Sequence, residues 1–320
     1  MVGRIALLLA VAAATLPALA QNYPVRPVRV IVPVATGGGT DFLARLVAKE
    51  LGAQTGQQFV VDNRSGAGGA IGGETAAKAA PDGYTLIMGY TASHGINPAL
   101  QKLPYDPVRD FAPISLVATA TNMLVVHPSV PVKSVKDLIA HAKTKAGHLR
   151  YASAGTGTAP HMSGELFDLM AGTKMVHVPY KGAGPALIDV IAGHVELTFT
   201  SLPAGLPHVK AGKVRAIATT SPKRSTSMPD LPTIAEAGLT GFNTDQWYGL
   251  LGPAKLPQPI VTKLHKEIAA SLQNKPVRDQ IIAQGFEIVG STPDQFRAHI
   301  QAEVAKWAEL VKKAGIKPDA

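Results

Sequence analysis

Apolar residues recur at two different spacings along the chain, and the change of spacing predicts strands that alternate with helices. Residues 28–32 form a β-branched run that is typical of a buried strand. Between residues 40 and 51 the apolar positions recur every three or four residues, which predicts an amphipathic helix. Further strands are predicted at 59–61 and 85–88, with an alanine-rich helix at 73–80 between them. This order predicts parallel strands joined by right-handed crossovers.

A second series of elements follows a long, almost uncharged run at residues 114–127. That run has no helical spacing, and we expect a strand or a pair of strands that crosses between two lobes. A second crossing is predicted at 244–251, after a segment rich in proline and serine. The C-terminal part then returns to the first lobe. We therefore expect lobe 1 to comprise residues 21–122 and 246–320, and lobe 2 to comprise residues 123–245.

The elements predicted beyond the first crossing continue the alternation. Ser134 is a predicted helix cap, and the segment after residue 251 is mainly helical. Residues 90–94 are small and polar, which predicts a loop. The helices are predicted at 135–144, 159–171, 184–192, 257–272 and 292–314, and the strands at 149–153, 175–178, 196–200 and 214–219.

The first twenty residues predict export from the cytoplasm. Arg4 precedes a continuous apolar run at 5–14, and residues 18–20 (Ala-Leu-Ala) are typical of a signal-peptide cleavage site. The apolar run is too short to span a bilayer. A buried N-terminal helix is disfavoured, because polar and proline-rich sequence follows at once. We therefore expect cleavage after Ala20 and a bacterial periplasmic protein.

The composition limits the classes of function. The chain has no cysteine, so the fold cannot depend on disulfides and the cleavage site cannot carry a lipoprotein anchor. Cleavage leaves 300 residues with 30 basic and 22 acidic side chains, a net charge of +8. The basic residues are scattered and aromatic residues are only 5%, which gives no support for nucleic-acid binding. A positive field would instead steer small anions toward a cleft.

Two glycine-rich turns about 115 residues apart are the main candidate binding elements. Residues 36–41 and 153–158 each follow a predicted strand and lead into an amphipathic helix. Such turns present backbone N–H groups at the positive end of a helix dipole, where anions bind. Two such sites in separate parts of the chain predict two lobes that hold an anionic ligand between them.

Other chemistries have little support in the motifs. The turn at residues 66–72 is similar to a dinucleotide-binding fingerprint, but Ile71 stands where that fingerprint needs glycine. The sequence contains neither a Walker loop nor a G-x-S-x-G nucleophile elbow. His161 and Glu165 are half of a metal site that no second pair completes. We therefore expect no cofactor, no metal and no catalytic residue, although scattered residues can also assemble a catalytic triad.

Several residues have two interpretations. Asp41 either faces the ligand and selects for an amine or ordered water, or only stabilises the first helical turn. Trp247 either forms a wall of the pocket or packs between the lobes. Lys181 either binds an anion or lies in solvent. His161 is expected to face the cleft, and His94 is the other histidine expected near it.

At these motifs the sequence resembles the substrate-binding proteins of tripartite tricarboxylate transporters, the Bug or TctC family. The resemblance implies an α/β, two-lobed periplasmic-binding-protein fold (type II-like), with the ligand cleft between lobes joined by two crossing segments. It also implies a small carboxylated solute as ligand and delivery to a membrane permease with one large and one small subunit. The segments that carry the resemblance are residues 33–45, 60–72, 81–86, 153–161 and 178–186.

Carried over by position, the resemblance implies that residues 34–41 with 91–93 in the first lobe, and residues 155–158 with His161 in the second, contact the ligand. Val34 stands where the family usually has an aromatic residue, and Thr158 where it usually has serine. Together with the residues discussed above, the candidate ligand-binding set is Val34, Ala35, Gly38, Gly39, Thr40, Asp41, Thr91, Ala92, Ser93, Gly155, Thr156, Gly157, Thr158, His161, Tyr180, Lys181, Ser201 and Trp247.

The sequence therefore predicts a monomeric, non-enzymatic receptor that captures a small organic acid and passes it to a permease. Donors in both lobes would make closure favourable only with ligand bound. Gly38 and Gly157 are expected to be required, because the backbone approaches the ligand there and adopts positive φ. Two alternatives stay open: a periplasmic enzyme that acts on a small organic acid, and a solute receptor that feeds a membrane sensor.

Overall fold

The computed structural model describes residues 23–180 and 182–316, which form two β-sheets with helices packed against them. The expected signal peptide and the candidate ligand residue Lys181 lie outside the described residues. In the part of the chain that is described, no helix is both long enough and apolar enough to cross a membrane.

The first sheet begins with the predicted parallel unit. Strand β1 (Val28–Val32) pairs in parallel with β2 (Phe59–Asn63) on one side and with β3 (Thr85–Tyr90) on the other. Helix α1 (Gly39–Thr55) connects β1 to β2, and α2 (Ala70–Ala77) connects β2 to β3. The predicted parallel order is confirmed, and the largely buried apolar side chains of β1 are typical of a strand covered on both faces.

Later parts of the chain complete this sheet. Strand β4 (Phe111–Ala120) pairs in antiparallel fashion with β10 (Gln246–Pro253), which also pairs with β3. The short strand β11 (Phe286–Ile288) lies at the edge beside β4. The six strands therefore have the order β11-β4-β10-β3-β1-β2.

The second sheet is built from the residues between β4 and β10. Its strands are β5 (Asn122–Val126), β6 (Arg150–Ser153), β7 (Val176–Pro179), β8 (Leu197–Ser201) and β9 (Arg215–Thr219), in the order β7-β6-β8-β5-β9. Strand β5 starts two residues after β4 ends, so the uncharged run predicted as one strand or a pair is a pair with one strand in each sheet.

The remaining helices follow the predicted apolar spacing with three additions. The Ser134 hydroxyl accepts a hydrogen bond from the Asp137 N–H at 3.1 Å, so the predicted cap is confirmed. The last helix begins at a capping box between Thr292 and Gln295. The helices are α3 (Asn97–Leu100), α4 (Val135–Thr144), α5 (Ala159–Ala171), α6 (Ala183–Ile191), α7 (Leu202–Lys210), α8 (Gln258–Gln273), α9 (Lys275–Ala283) and α10 (Pro293–Ala314).

Several segments differ from the predictions, and helix α9 and the short strand β11 were among those not predicted. The predicted loop at residues 90–94 is wrong, because β3 continues to Tyr90 and Ala92–Ile96 form a π-helical turn that leads into α3. Helix α7 was not predicted, since Pro203 and Pro207 interrupt its apolar pattern. Pro203 is nevertheless tolerated in the first turn.

Helix α10 is joined to the first sheet through one buried carboxylate. Glu303 is 6% exposed, and its Oε2 accepts hydrogen bonds from the indole N–H groups of Trp247 at 3.2 Å and Trp307 at 2.9 Å. Lys306 forms an ion pair with the other oxygen. Because Trp247 belongs to β10, this carboxylate fixes the strand that returns from the second sheet.

Replacement of this carboxylate should destabilise the protein strongly. Glu303→Ala leaves two buried indole N–H groups without an acceptor, and we expect the free energy of unfolding to fall by about 2–4 kcal/mol in urea titrations. Glu309→Ala is the matched control on the same helix, since its ion pair with Lys313 is exposed and contributes little. Equal stability of the two variants would contradict the anchoring role of Glu303.

Candidate functional site

A cavity of about 250 Å³ lies where the two sheets meet. The end of β3 and the start of β10 line it from the first sheet, and β8 and the start of α5 line it from the second. All of these side chains are uncharged, and they include both apolar and polar residues. The lining residues are Tyr90, Thr91, Ala92, Ile96, Asn122, Ala154, Thr158, Ala159, Pro160, Ala183, Phe199, Thr200, Ser201 and Gln246.

Two buried polar groups in the cavity wall have no hydrogen-bond partner among the described residues. These are Asn122 Nδ2 and Thr200 Oγ1, in side chains whose residues are 1% and 3% exposed. The other amide atom of Asn122, Oδ1, accepts a hydrogen bond from Gln246 Nε2 at 3.5 Å. An unpaired buried polar group costs about 1–3 kcal/mol, so a ligand acceptor that reached either group would be stabilised.

The second glycine turn borders the cavity through Thr158 and the first residues of α5. Gly155 and Gly157 have φ values of 124° and 76°, a backbone conformation that favours glycine. A Cβ atom at Gly157 would lie 2.8 Å from Leu100 Cδ1 in α3. The positive φ predicted for Gly157 is confirmed, and the close approach on this side is to Leu100, which packs against Ile96, Met162, Trp307 and Leu310.

His161 supports the second glycine turn through a hydrogen bond to its backbone. Its Nδ1 accepts a hydrogen bond from the Gly157 N–H at 3.0 Å, so Nε2 carries the proton and lies 3.6 Å from Glu165 Oε1. The same Glu165 oxygen accepts from the Tyr151 hydroxyl at 2.6 Å, and the imidazole stacks on His177 with ring centroids 4.1 Å apart. His161 is 4% exposed and braces the loop instead of lining the cavity.

His161 and Glu165, which the sequence suggested as half of a metal site, are instead engaged in these contacts with other protein groups. Desolvation raises the pKa of Glu165, but hydrogen bonds from His161 and Tyr151 outweigh it and keep that pKa below its usual range. The described residues contain no group of three or more histidine, aspartate or glutamate side chains that could hold a metal ion.

The Asp41 carboxylate holds the first glycine turn in place through hydrogen bonds. The carboxylate accepts hydrogen bonds from the Gly37 N–H at 3.0 Å, from Arg45 Nε at 3.0 Å and from Asn63 Nδ2 at 2.9 Å. Asp41 is 3% exposed. Desolvation raises its pKa, but the hydrogen bonds from Arg45, Asn63 and Gly37 outweigh it and hold the pKa below its usual range. This geometry favours the structural interpretation of Asp41.

The positive φ expected for Gly38 is wrong. Its φ is −89°, and a Cβ atom there would meet nothing within 4 Å. The neighbouring Gly37 has φ 98° instead, and its N–H is the one that Asp41 accepts. At Gly39 a Cβ atom would lie 2.9 Å from the Phe286 ring, so this glycine permits close packing against β11.

Some residues of the predicted ligand-binding set line the cavity, and others do not. Thr91, Ala92, Thr158 and Ser201 line it. Thr91 also holds the returning strand, because its Oγ1 accepts from the Trp247 N–H at 2.7 Å. The other described members do not line it in this arrangement: Val34, Ala35, Gly38, Gly39, Thr40, Asp41, Ser93, Gly155, Thr156, Gly157, His161, Tyr180 and Trp247.

Several of those other residues have well-defined contacts elsewhere. Trp247 is 1% exposed and packs in the core with Phe296, which favours the packing interpretation. The Tyr180 hydroxyl donates to Asp189 at 2.6 Å. His94 is fully buried against Phe111, and desolvation lowers its pKa to about 3, so the ring is neutral.

Sequence analysis missed Asn122, Thr200 and Gln246, which supply the polar wall of the cavity. Asn122 and Gln246 are polar residues at the start of largely apolar strands next to the two crossings, and Thr200 lies near the end of β8, whose polar and apolar residues alternate up to that point. That signal is present in the sequence, but many satisfied core residues share it. Only the orphaned Asn122 and Thr200 groups distinguish them.

Comparison with known proteins identifies relatives over almost the whole chain. The family model described as "Tripartite tricarboxylate transporter family receptor" matches residues 43–316. Protein BugT of Bordetella pertussis is 37% identical over 316 residues, which are 98% of this chain and 97% of BugT.

Solved structures are similar over the same extent. Rpa4515 of R. palustris with adipate is 41% identical with a TM-score of 0.81, covering 93% of this chain and 100% of that one. MatC of Rhodopseudomonas palustris with bound malate is 34% identical with a TM-score of 0.77, covering 90% and 100%. The two-lobed α/β fold class predicted from the sequence is therefore confirmed.

Asp41→Asn should lower stability and leave ligand preference unchanged. The variant removes the charge that Arg45 and the loop N–H satisfy, and we expect a loss of about 1–2 kcal/mol at pH 7. Because the folded-state pKa of Asp41 is lowered, this difference should disappear as the pH falls below the ordinary carboxyl range. Urea titrations at several pH values measure it.

Asp294→Asn is the matched control for Asp41→Asn, since Asp294 lies in the first turn of α10 and is exposed. We expect this variant to change stability less. A changed affinity ranking among carboxylates in Asp41→Asn, with stability retained, would favour the ligand-selecting role instead.

Proposed function

This chain belongs to the tripartite tricarboxylate transporter receptor family, and from that premise we propose that it is a periplasmic solute-binding protein for small carboxylates. Adipate and malate, the acids bound by the two similar structures, are the first candidates for its ligand. The observation that carries the proposal is the pair of unsatisfied donors, Asn122 Nδ2 and Thr200 Oγ1, in the wall of the cavity between the sheets.

A carboxylate in this cavity would be held by neutral donors. None of the described lining residues is charged. The amide and hydroxyl donors act together with the start of α5, whose N-terminal dipole favours an anion and which has no side-chain cap. Carboxylates gain strong hydrogen bonds from such donors when these are fixed in place beforehand. The net charge of +8 that remains after the proposed cleavage would help to steer an anion toward the cavity.

Binding would favour closure because the donors come from both sides. We propose that lobe 1 comprises residues 21–122 and 246–320, and that lobe 2 comprises residues 123–245. Thr91 and Gln246 would then contact the ligand from the first lobe, and Thr158 and Thr200 from the second. A ligand that bridges them stabilises the closed state by its differential affinity for it.

The remaining parts of the proposal concern export, delivery and chemistry. Residues 1–20 would direct the protein to the periplasm and be removed after Ala20. The monomeric receptor would deliver its ligand to a membrane permease with a large and a small subunit. We also propose that it catalyses no reaction.

A thermal-shift panel tests the proposed function. Purified mature protein is heated with adipate, malate, citrate, benzoate and glutamate, with the neutral dimethyl ester of adipate as the control. A ligand at a hundred times its Kd should add about 2.7 kcal/mol to the stability of the folded state and raise the melting temperature clearly. Absence of any shift with the acids, or an equal shift with the ester, would contradict carboxylate binding.

Thr200→Val tests the site itself. The variant keeps the shape of the side chain and removes only a hydroxyl that has no protein partner, so we expect Kd to rise about five- to tenfold while ligand-free stability is retained. Thr198→Val is the matched control on the same strand, because its hydroxyl donates to the Ala152 carbonyl at 2.8 Å. That control should lose stability and keep its affinity, as measured by calorimetry and urea titration. The reverse pattern would place the ligand elsewhere.

A further inference from the structure

A partly buried carboxylate, Asp245, lies at the second connection between the sheets, directly before the cavity residue Gln246. It accepts hydrogen bonds from the hydroxyl of Thr121, which stands between β4 and β5, and from Thr220 Oγ1 at 3.3 Å, after the end of β9. One carboxyl group therefore contacts both connections between the sheets.

The hydroxyl of Thr220 links this carboxylate to the cavity. Thr220 Oγ1 lies 3.2 Å from the Asn122 carbonyl oxygen and accepts from the Asn122 N–H at 3.1 Å. A hydroxyl has a single proton, so it can donate either to Asp245 or to the Asn122 carbonyl. Asn122 is in turn one of the residues that line the cavity, and its Nδ2 has no hydrogen-bond partner among the described residues. The protonation state of Asp245 therefore affects whether the Thr220 hydroxyl donates to Asn122, a residue of the cavity wall.

No cation is dedicated to Asp245 in the described part of the chain. The charged groups that face it, Lys306 and Glu303, both belong to α10. Lys306 is paired with Glu303 and also donates to the Asn243 carbonyl at 3.4 Å. The two connections and the end of β9 contribute only hydroxyls, from Thr121 and Thr220.

The balance of these groups favours a neutral carboxyl. Burial raises the pKa of Asp245 to about 7, and Glu303 adds to this effect. The hydroxyls of Thr121 and Thr220 and the charge of Lys306 act in the opposite direction and do not cancel it. Asp245 is therefore partly protonated near neutral pH before any ligand is present.

We propose that Asp245 takes up a proton when an anionic ligand enters the cavity, so that ligand binding is coupled to protonation at the connection between the lobes. The inference rests on the proposed function, because only an anion repels the ionised carboxylate. The cavity lining supplies no described cationic side chain to screen that repulsion. In the neutral form, the carboxyl keeps a hydrogen bond to Thr121 or Thr220 as the donor, and the Thr220 hydroxyl can donate to the Asn122 carbonyl.

The direction of the pH dependence of affinity follows from the protonation state of Asp245 that binds the ligand. The protonated protein binds the anion more tightly, so affinity is highest below the pKa of ligand-free Asp245 and falls as the pH rises through it. Asp245 acts as a positioning residue through Thr220 and Asn122, and it need not touch the ligand.

Calorimetric titration with adipate and with malate at pH 6, 7 and 8 tests the coupling. For the mature wild-type protein we expect Kd to rise about tenfold between pH 6 and pH 8, since affinity changes at most tenfold per pH unit for one proton. At pH 7 and 8 the binding enthalpy should differ between phosphate and Tris buffers by the heat of a transferred proton. Asp245→Asn should bind with a Kd that is independent of pH and an enthalpy that is independent of buffer.

Asp279→Asn is the matched control, since Asp279 is exposed and paired with Lys275 far from the cavity, and it should keep the wild-type pH profile. The same pH dependence in wild type and Asp245→Asn overturns the inference and leaves the proposed function intact. Absence of binding by either acid at every pH overturns the proposed function, and the inference with it.

A measurement on the wild-type chain covers the case in which Asp245→Asn does not fold. The ¹³C carboxyl resonance of Asp245 is titrated with and without saturating adipate. A midpoint that moves to higher pH with adipate supports the proposal, and a midpoint that does not move overturns it.

Discussion

The two connections between the sheets are the constraint on which the rest of the structure depends. Strands β4 and β10 are antiparallel neighbours, and Ala120 at the end of one is paired with Gln246 at the start of the other. Both connections therefore leave the first sheet side by side. Asn122 and Asp245 follow and precede these strand ends by one or two residues, so polar groups that are far apart in the sequence converge on one small region beside the cavity.

Rigid supports surround this region. Glu303 fixes β10 through Trp247, and the Thr91 hydroxyl holds the backbone of the same strand. The two glycine turns are braced from within, one by Asp41 and the other by His161. These polar side chains are satisfied by protein partners, whereas Asn122 Nδ2 and Thr200 Oγ1 are left open. Donors that are held in place before binding lose little conformational entropy when a ligand arrives.

Charge is kept away from the cavity wall and close to the connections. The wall is uncharged over its described residues, and the charged groups Asp245, Glu303 and Lys306 lie at the second connection and on α10. In the proposed mode of binding, an anion in the cavity would be stabilised by dipoles and hydrogen bonds, while its charge would act on a titratable group behind the wall. Such an arrangement separates recognition of the ligand from the response to its charge.

The sequence by itself determined the local elements, because their causes lie within a few residues. The 3.6-residue spacing of α1, the Ser134 cap and the positive φ at Gly157 depend on neighbours along the chain, and the order of strands and helices restricts the topology. The tertiary structure alone decided which polar groups are open. Asp41 is satisfied by Asn63, 22 positions away, whereas Asn122 Nδ2 and Thr200 Oγ1 have no hydrogen-bond partner among the described residues. Hydrogen-bond satisfaction depends on such distant neighbours, and no local pattern records it.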